Sequence, residues 1–304
     1  MCIEIFVDFA VIGHPIGHTM SPFIHERLFC LSGKDKTTYR VMDISPEELS
    51  DKMKELRRLQ GFNITIPHKQ FIIPLLDECS PQAAAFGSVN TVSIRDGKAI
   101  GYTTDGIGCL KALEAAGVSP EGHCLLLGSG GAARAVAFAL VEACSFPSIT
   151  FAVREESIPK TMNLCQSLTA YAEKLGKTGS FTVTSYPALE ELAQTPLQSP
   201  RFQLLLNCTS VGMYPKINQC PVSEQVVSCC EAVFDAVYNP HDTLLLQTAQ
   251  RLGIPAVHGM AMLVWQAVAA HEIWDGSTYC TEDIEQLTKD AAAEMARRFQ
   301  EEKK

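Results

Sequence analysis

Short apolar runs separated by amphipathic stretches recur along the chain, and their order predicts alternating strands and helices. Phe6 to Ile12 is apolar and β-branched and breaks at Gly13-His14-Pro15, the pattern of a buried strand ending in a turn. Ser21-Pro22 then opens a helix, with serine as N-cap, proline in the first turn, and Phe23, Ile24 and Leu28 at helical spacing. A second cycle follows, with Thr38 to Ile44 as strand and Ser45-Pro46-Glu47-Glu48 starting a helix toward Gln60. Gly61 to Ile66 is the next strand and stops at Pro67. Such alternation predicts an α/β domain whose sheet is largely parallel.

Gly101-Tyr102-Thr103-Thr104-Asp105-Gly106 leads into an amphipathic helix from about Ile107 to Ala116, which Gly117 caps, and a first domain boundary falls here. Cys124 to Leu127 is a short apolar strand running into Gly128-Ser129-Gly130-Gly131 and an alanine-rich helix, Ala132 to Ala143. Ile149 to Val153 is the next strand and Met162 to Leu175 the next helix, while Phe202 to Leu206 and Ala232 to Val237 continue the sheet. Met260 to Phe299 is helical in character, with Met262, Leu263, Trp265, Val268 and Ala269 on a broad apolar face. The length of 304 residues favours two domains over one and allows a cleft between them. The chain contains no internal repeat or low-complexity tract.

Charge and composition remove several function classes. A formal charge of −9 and a pI near 5.4 leave no clustered basic surface for nucleic acid. Met1-Cys2-Ile3-Glu4 lacks the basic stretch of a secretory signal and no apolar run is long enough to span a bilayer, so a cytoplasmic protein is expected. The 12 cysteines are scattered, no C-x-x-C pair occurs, and adjacent Cys229-Cys230 does not build a zinc site unaided, so reduced thiols filling core gaps are expected. His14 and His18 lack a carboxylate or third ligand beside them, and no metal site is expected there.

Gly128-x-Gly130-x-x-Ala133 follows a strand and precedes a helix, the context a dinucleotide fingerprint requires. Gly128 permits the tight turn, Gly130 lets backbone approach a pyrophosphate, and Ala133 allows close helix packing while the helix N-terminus attracts negative charge. The residue meeting the adenosine ribose belongs at the end of the following strand, Val153-Arg154-Glu155-Glu156. Arg154 suits a 2′-phosphate, whereas Glu155 or Glu156 suits a free 2′-hydroxyl. NADP and NAD therefore both stay open, with Arg154 tilting the balance toward NADP.

Lys69 lies just past the carboxyl end of a strand, where open α/β sheets hold ligands, in a segment with Asn63, Thr65 and Pro67. A second polar turn, Gly87-Ser88-Val89-Asn90-Thr91, and a third carrying Asp105 complete the candidate chemistry.

The ordered segments around these residues resemble the shikimate dehydrogenase family, whose members carry G-x-N-V-T-x-P-x-K, G-A-x-N-T, G-x-N-T-D-x-x-G and G-x-G-G-A in that order. Close versions of each stand here, followed by Asn207-Cys208-Thr209-Ser210-Val211-Gly212-Met213, Asp235-Ala236-Val237-Tyr238-Asn239-Pro240 and Gly259-Met260-Ala261-Met262-Leu263-Val264-Trp265-Gln266, so the resemblance spans roughly residues 10 to 275. It implies Lys69 and Asp105 as the catalytic pair. Thr65 and Asn90 would bond ring hydroxyls, and Tyr238 and Gln266 would reach the substrate from the other side of the cleft. Thr19 and Ser21, in His18-Thr19-Met20-Ser21-Pro22, would hold the substrate carboxylate. Gly128, Ser129, Gly130, Gly131, Ala132, Arg154, Thr209, Met213 and Gly259 would hold the cofactor.

The implied fold is an α/β substrate-binding domain, residues 1–105 completed by C-terminal helices 258–304, joined to a Rossmann-type NAD(P)-binding domain, residues 106–257. The implied reaction is reversible NAD(P)H-dependent reduction of 3-dehydroshikimate by a monomer or homodimer, with cleft closure excluding water. Departures from the family pattern that bear on ligand choice are Thr19 for serine, Thr103 for asparagine, and Val153-Arg154-Glu155 for the N-R-T of NADP-specific members. They leave room for quinate or aminoshikimate as substrate and for relaxed cofactor use. A ligand-sensing relative without turnover is the rival from another class.

Overall fold

The computed structural model describes residues 8–17, 19–195 and 201–301, which leaves His18 outside the described residues. The chain divides into two compact units, Met1–Asp105 with Val264–Ala291, and Gly106–Leu263 with Ala292–Lys304.

The first unit is built on six strands: β1 (Asp8–Gly13), β2 (Thr38–Asp43), β3 (Gly61–Ile64), β4 (Glu78–Cys79), β5 (Thr91–Arg95) and β6 (Lys98–Tyr102), in spatial order β2-β1-β3-β5-β6-β4. Alternate residues of β1 enter different cores. Ala10 and Ile12 pack with Leu49, Met53, Leu56 and Phe62, whereas Phe9 and Val11 pack with Phe29 and Tyr39. Burial on both faces explains why β1 reads as an unbroken apolar run rather than an alternating one. The sheet is mixed, with three of its five strand pairings parallel, β4 with β6 among them. β1 runs parallel to β2 and β3, but β5 is antiparallel to both β3 and β6. A tight hairpin joins β5 to β6 through Asp96-Gly97, both at positive φ (51° and 77°). Asp-Gly is the pair such a turn demands, so this reversal was available to sequence reasoning and went unread.

Local chemistry corrects other boundaries. Ser21 is the first residue of the helix Ser21–Leu31 rather than its N-cap; Met20 occupies that position, and the Ser21 backbone N–H donates to Thr19 Oγ1 at 3.1 Å. The helix predicted to start at Ser45 begins at Leu49, because Ser45 to Glu48 closes a turn in which the Ser45 N–H donates to Glu48 Oε2 at 3.1 Å. The C-terminal stretch is two helices, Gly259–Asp275 and Thr281–Glu301, and Gly276 (φ +73°) ends the first. Gly61 is required by close approach: a Cβ there would lie 2.3 Å from Trp274 Nε1, which donates to the Val92 carbonyl at 2.9 Å.

The second unit holds six parallel strands: β7 (His123–Leu127), β8 (Ser148–Val153), β9 (Ser180–Ser185), β10 (Phe202–Asn207), β11 (Cys230–Asp235) and β12 (Ala256–His258). Their order is β12-β11-β10-β7-β8-β9, so the chain reverses direction across the sheet between β7 and β10. That is the doubly wound dinucleotide-binding arrangement, with its ligand crevice at the β7/β10 reversal. β11 begins and ends two residues before the predicted strand Ala232 to Val237, and β9 and the short β12 had no assignment. Burial pushes the thiols of Cys124 up to about 12 and of Cys144 and Cys165 up to about 11, as suits side chains used for packing.

A buried histidine pair in the first unit makes the fold pH-sensitive. Tyr279 Oη donates to the Leu28 carbonyl at 3.2 Å, so it accepts from His271 Nδ1 at 2.7 Å. His271 Nε2 must then accept from His25 Nδ1 at 3.0 Å, so the His271 ring is neutral in this arrangement, and complete burial favours the neutral form of His25 as well. Desolvation lowers both pKa values, that of His271 to about 4. The unfolded chain, with histidines near 6.5, binds protons that the folded chain refuses, so this stability is complete above pH 6.5 and is lost as pH falls toward 4. Urea unfolding at pH 7 and 5 should show the parent losing roughly 2 kcal/mol more than His271→Gln over that interval. Equal losses in the two proteins would reject the assignment.

Candidate active site

Three turns of the first unit meet at one end of its sheet. Lys69 follows the C-terminal end of β3. Because β5 runs antiparallel to β3, with Asn63 opposite Thr91, the residue before β5, Asn90, returns to that same end. β6 runs back beside β5, with Tyr102 opposite Thr91, and so delivers Thr103, Thr104 and Asp105 there as well. The hairpin missed from sequence is thus what joins the catalytic candidates. Backbone bonds fix the turns: Thr65 N–H donates to the Ile12 carbonyl at 2.9 Å, Val89 N–H to the Lys69 carbonyl at 2.8 Å, and Asn90 N–H to the Tyr102 carbonyl at 3.1 Å. His68, beside Lys69, is buried with Nε2 2.7 Å from the Ile44 carbonyl, which anchors the turn to the strand β2 connection.

Lys69 Nζ donates to Asp105 Oδ2 at 2.5 Å, with the two side chains 17% and 7% exposed. The other carboxylate oxygen, Oδ1, accepts from Asn90 Nδ2 at 2.9 Å. Asn90 is itself oriented by the Thr104 N–H, which donates to its Oδ1 at 2.7 Å, and its Nδ2 also lies 2.9 Å from Thr104 Oγ1 and 3.3 Å from Gln266 Oε1. The amide is therefore committed to positioning the carboxylate, a role the expected contact with ring hydroxyls did not include. Gln266 belongs to the first unit with Lys69, while Tyr238, half-buried on the loop after β11, belongs to the second.

Further residues extend the network. Asn63 Nδ2 donates to Thr91 Oγ1 at 3.1 Å, and its Oδ1 accepts from Tyr39 Oη at 2.7 Å. Tyr39 stacks on His25 with ring centroids 4.1 Å apart, and burial raises its pKa well above the ordinary phenol value. Thr19 Oγ1 donates to Ser21 Oγ at 3.1 Å, placing two hydroxyls side by side at the N-terminus of the helix Ser21–Leu31. Sequence reasoning did not assign Tyr39 or Thr104 a role. Thr104 stood beside Asp105 in a motif already singled out, whereas Tyr39 had no motif around it. Thr103, one of the departures from the family pattern, is buried, and its hydroxyl has no hydrogen-bond partner among the described residues.

In the second unit, Gly128 to Gly131 turns from β7 into the helix Gly131–Ala143 at the reversal of strand order. Gly128 takes φ +94°, and a Cβ on it would sit 3.0 Å from the methyl of Thr209 beyond β10. A Cβ on Gly130 would meet nothing within 4 Å, so its backbone faces open space. An open backbone at a helix N-terminus fits a pyrophosphate. Ser129 and Ala132 lie in the same turn and helix start. Arg154 follows β8, 77% exposed, and pairs with Glu156 at 3.3 Å. Thr209 is held through Asn207 Oδ1, which accepts from its N–H at 3.0 Å and its Oγ1 at 2.7 Å. Asn207 Nδ2 in turn donates to Asp235 Oδ1 at 2.9 Å, and burial pushes the Asp235 pKa up to about 6. Met213 is partly exposed past the same loop. Gly259 has a packing reason to lack a side chain: a Cβ would lie 2.6 Å from the carbonyls of Asp235 and Ala236.

Comparison with known proteins fits this geometry. Residues 11–92 match the model of the shikimate dehydrogenase substrate binding domain. The shikimate dehydrogenase (NADP(+)) of Moorella thermoacetica is 37% identical over 273 residues, covering 88% of this chain and 87% of that protein. The chain belongs to the shikimate dehydrogenase family. Among solved structures, shikimate 5-dehydrogenase from Thermus thermophilus in complex with NADP(H) and shikimate matches with TM-score 0.74 and 32% identity over 94% of this chain and all 100% of that one. Shikimate 5-dehydrogenase from Listeria monocytogenes in complex with shikimate and NAD matches with TM-score 0.77 and 27% identity over 94% and 97%. The family model covers Lys69 and Asn90, and the full-length likeness extends over Asp105 and the glycine turn.

Asn90→Ala should therefore do more than empty a substrate contact. It strips Asp105 Oδ1 and the Thr104 N–H of their partners, and should lower the unfolding free energy by roughly 2 kcal/mol in denaturant titration. A change within about 0.5 kcal/mol, the range of an ordinary surface substitution, would show that Asn90 does not organise the site.

Proposed function

We propose that this chain is a shikimate dehydrogenase that catalyses reversible reduction of the ring ketone of 3-dehydroshikimate to the alcohol of shikimate, with Lys69 as general acid and base. The observation that carries this reading is the 2.5 Å contact of Lys69 Nζ with Asp105 Oδ2, inside a family whose members are named for that activity. The turn Gly128 to Gly131, with Arg154, Thr209, Met213 and Gly259, would hold a nicotinamide dinucleotide, whose chemistry would be to give or take the hydride. The remaining work falls to the protein. In reduction, the Lys69 ammonium donates a proton to the developing alkoxide; in oxidation, the neutral amine takes the alcohol proton. Asp105 holds Nζ in place through Oδ2 while Asn90 prevents the carboxylate from turning. Thr19 and Ser21 offer two hydroxyls to the substrate carboxylate, with Thr65, Tyr238 and Gln266 as further substrate contacts.

Lys69→Ala should reduce kcat by roughly 10²–10⁴-fold, the usual contribution of a positioned acid or base, and should also lower the melting temperature because it leaves the buried Asp105 carboxylate without its cation. A fully active Lys69→Ala protein would overturn the mechanism. A protein that is stabilised by shikimate yet shows no NAD(P)H absorbance change in either direction would instead be a ligand-sensing relative. Although Thr19 and Thr103 depart from the family pattern around the substrate, kcat/KM for shikimate and quinate, each with NADP and with NAD, should rank shikimate with NADP first, as the names of the relatives suggest. Quinate ranking first would replace the substrate assignment and leave the chemistry intact.

The cofactor half of that ranking rests on Arg154. Arg154→Ala should raise KM for NADP by roughly ten-fold or more while leaving KM for NAD nearly unchanged, because a charge-assisted contact to a 2′-phosphate contributes about 1.5–3 kcal/mol. Equal effects on both cofactors would place Arg154 outside the 2′ site.

A further inference from the structure

A group of donor side chains at the C-terminal edge of the second sheet takes no part in the chemistry above. His241 and Asp242 lie on the loop after β11, and His258 is the last residue of the neighbouring strand β12. One ligating atom from each lies within 4.8 Å of the other two. His258 Nε2 is 2.9 Å from Asp242 Oδ1, and the His241 ring stacks on that of His258 with centroids 4.3 Å apart and planes 12° from parallel. His241 Nδ1 is buried and has no hydrogen-bond partner among the described residues. The His258 and Asp242 side chains are 27% and 57% exposed, which leaves a route in from solvent.

We propose that His241, Asp242 and His258 form a binding site for a divalent transition-metal ion of the zinc type. Two imidazoles and one carboxylate make a three-ligand set that leaves the fourth tetrahedral position to water. Imidazole nitrogen selects zinc, copper, nickel or cobalt over magnesium and calcium, which take oxygen. A buried imidazole nitrogen without a partner costs about 1–3 kcal/mol, and a metal ion is the partner that a lone pair can take where no N–H or O–H is in reach. Zinc bonds of about 2.0–2.1 Å place tetrahedral donor atoms roughly 3.3–3.5 Å apart. The present spread, from 2.9 Å for one pair up to a limit of 4.8 Å, therefore closes with side-chain shifts on the order of 1 Å. The stack is what has to change. Parallel rings do not aim their in-plane lone pairs at one point, so binding turns one ring out of the stack, and the metal replaces the proton shared by His258 and Asp242.

Occupancy would have a mechanical consequence. His241 lies three residues after Tyr238, and His258 directly precedes Gly259, so the ion would fasten the Tyr238 loop to the start of the helix Gly259–Asp275. Turnover should slow when the site fills. That second statement rests on the proposed dehydrogenase reading, whereas metal binding itself does not.

Cobalt(II) titration of the full chain tests the site directly. The expected result is saturable binding of one ion, with ligand-field bands of nitrogen and oxygen coordination and no thiolate-to-cobalt charge transfer. His241→Ala and His258→Ala should each weaken binding by roughly 10–100-fold or more, and Asp242→Asn should weaken it less. Melting curves check that each variant is folded, and His241→Gln and His258→Gln replace any alanine variant that is not. Binding unchanged in the folded histidine variants, charge-transfer bands from cysteine, or no saturable binding would each overturn the proposal. Slower turnover with stoichiometric cobalt, lost in His241→Ala, would support the mechanical consequence; binding without any change in turnover would reject that consequence alone.

Discussion

The chemistry proposed for this chain depends on holding a lysine ammonium against a carboxylate while leaving the amine able to exchange its proton. Lys69 and Asp105 meet at 2.5 Å with little solvent around them, and neither arrives by its own local structure. A lone ammonium or carboxylate at that depth would be costly, and breaking a buried pair by removing one partner typically costs about 3–5 kcal/mol, less here because Lys69 keeps some exposure. The cost is offset by geometry. Asp105 uses one oxygen for Lys69 and the other for Asn90, so every strong acceptor site on the carboxylate is oriented before a substrate enters.

That orientation comes from the sheet. β3, β5 and β6 are successive in space, and the antiparallel reversals bring three separated segments to a single edge. Behind that edge, polar side chains replace the apolar packing found elsewhere: Asn63, Tyr39, Thr91 and Thr104 bond one another, and His25 stacks under Tyr39. A buried polar network is stable only when nearly all its members are satisfied, and once satisfied it fixes one arrangement. The second unit uses a different device at the corresponding edge of its sheet. There the parts expected to meet phosphate are backbone groups, and the side chains behind them, Asn207 and Asp235, hold the turns rather than the ligand.

Much of this was legible because the signals were local. The strand–turn–helix at Leu127, Gly128 and Gly131 announces itself through glycine and the switch from strand to helix periodicity, and Lys69 and Asp105 stand in compact motifs. Long-range consequences were harder to see. The motif around Asn90 points to a substrate contact, but sequence does not show that Asp105, Thr104 and Gln266 surround the amide and give it a positioning role as well. Ser21 looked like an N-cap because Ser-Pro is the usual signal, yet Thr19 supplies the acceptor two residues earlier. The tail read as helical throughout, with its second part from Glu282 more charged, but the place where one helix ends and the next begins became visible only with the positive φ of Gly276 and the non-helical residues 276–280. His25 and His271, 246 residues apart, and His241 and His258 leave no pattern at all, since each pair is made by neighbouring elements rather than by spacing.

The proposed role of Arg154 in cofactor choice rests on electrostatics more finely balanced than the proposed catalytic pair. Arg154 sits at the end of β8 on the surface, already paired with Glu156 at 3.3 Å, with Glu155 adjacent. In water two unit charges 4 Å apart interact by only about 1 kcal/mol, so an exposed arginine gains little from either partner unless contact is bidentate. A 2′-phosphate brings close to two negative charges and several acceptor oxygens, enough to compete Arg154 away from a single carboxylate, but Glu155 and Glu156 repel that same phosphate. The net preference is therefore a small difference between opposed surface terms, and such terms weaken as salt rises. One substitution among these three residues can reverse it, whereas no single surface change can relocate Lys69 from Asp105, because that pair is fixed by strand order and not by charge alone.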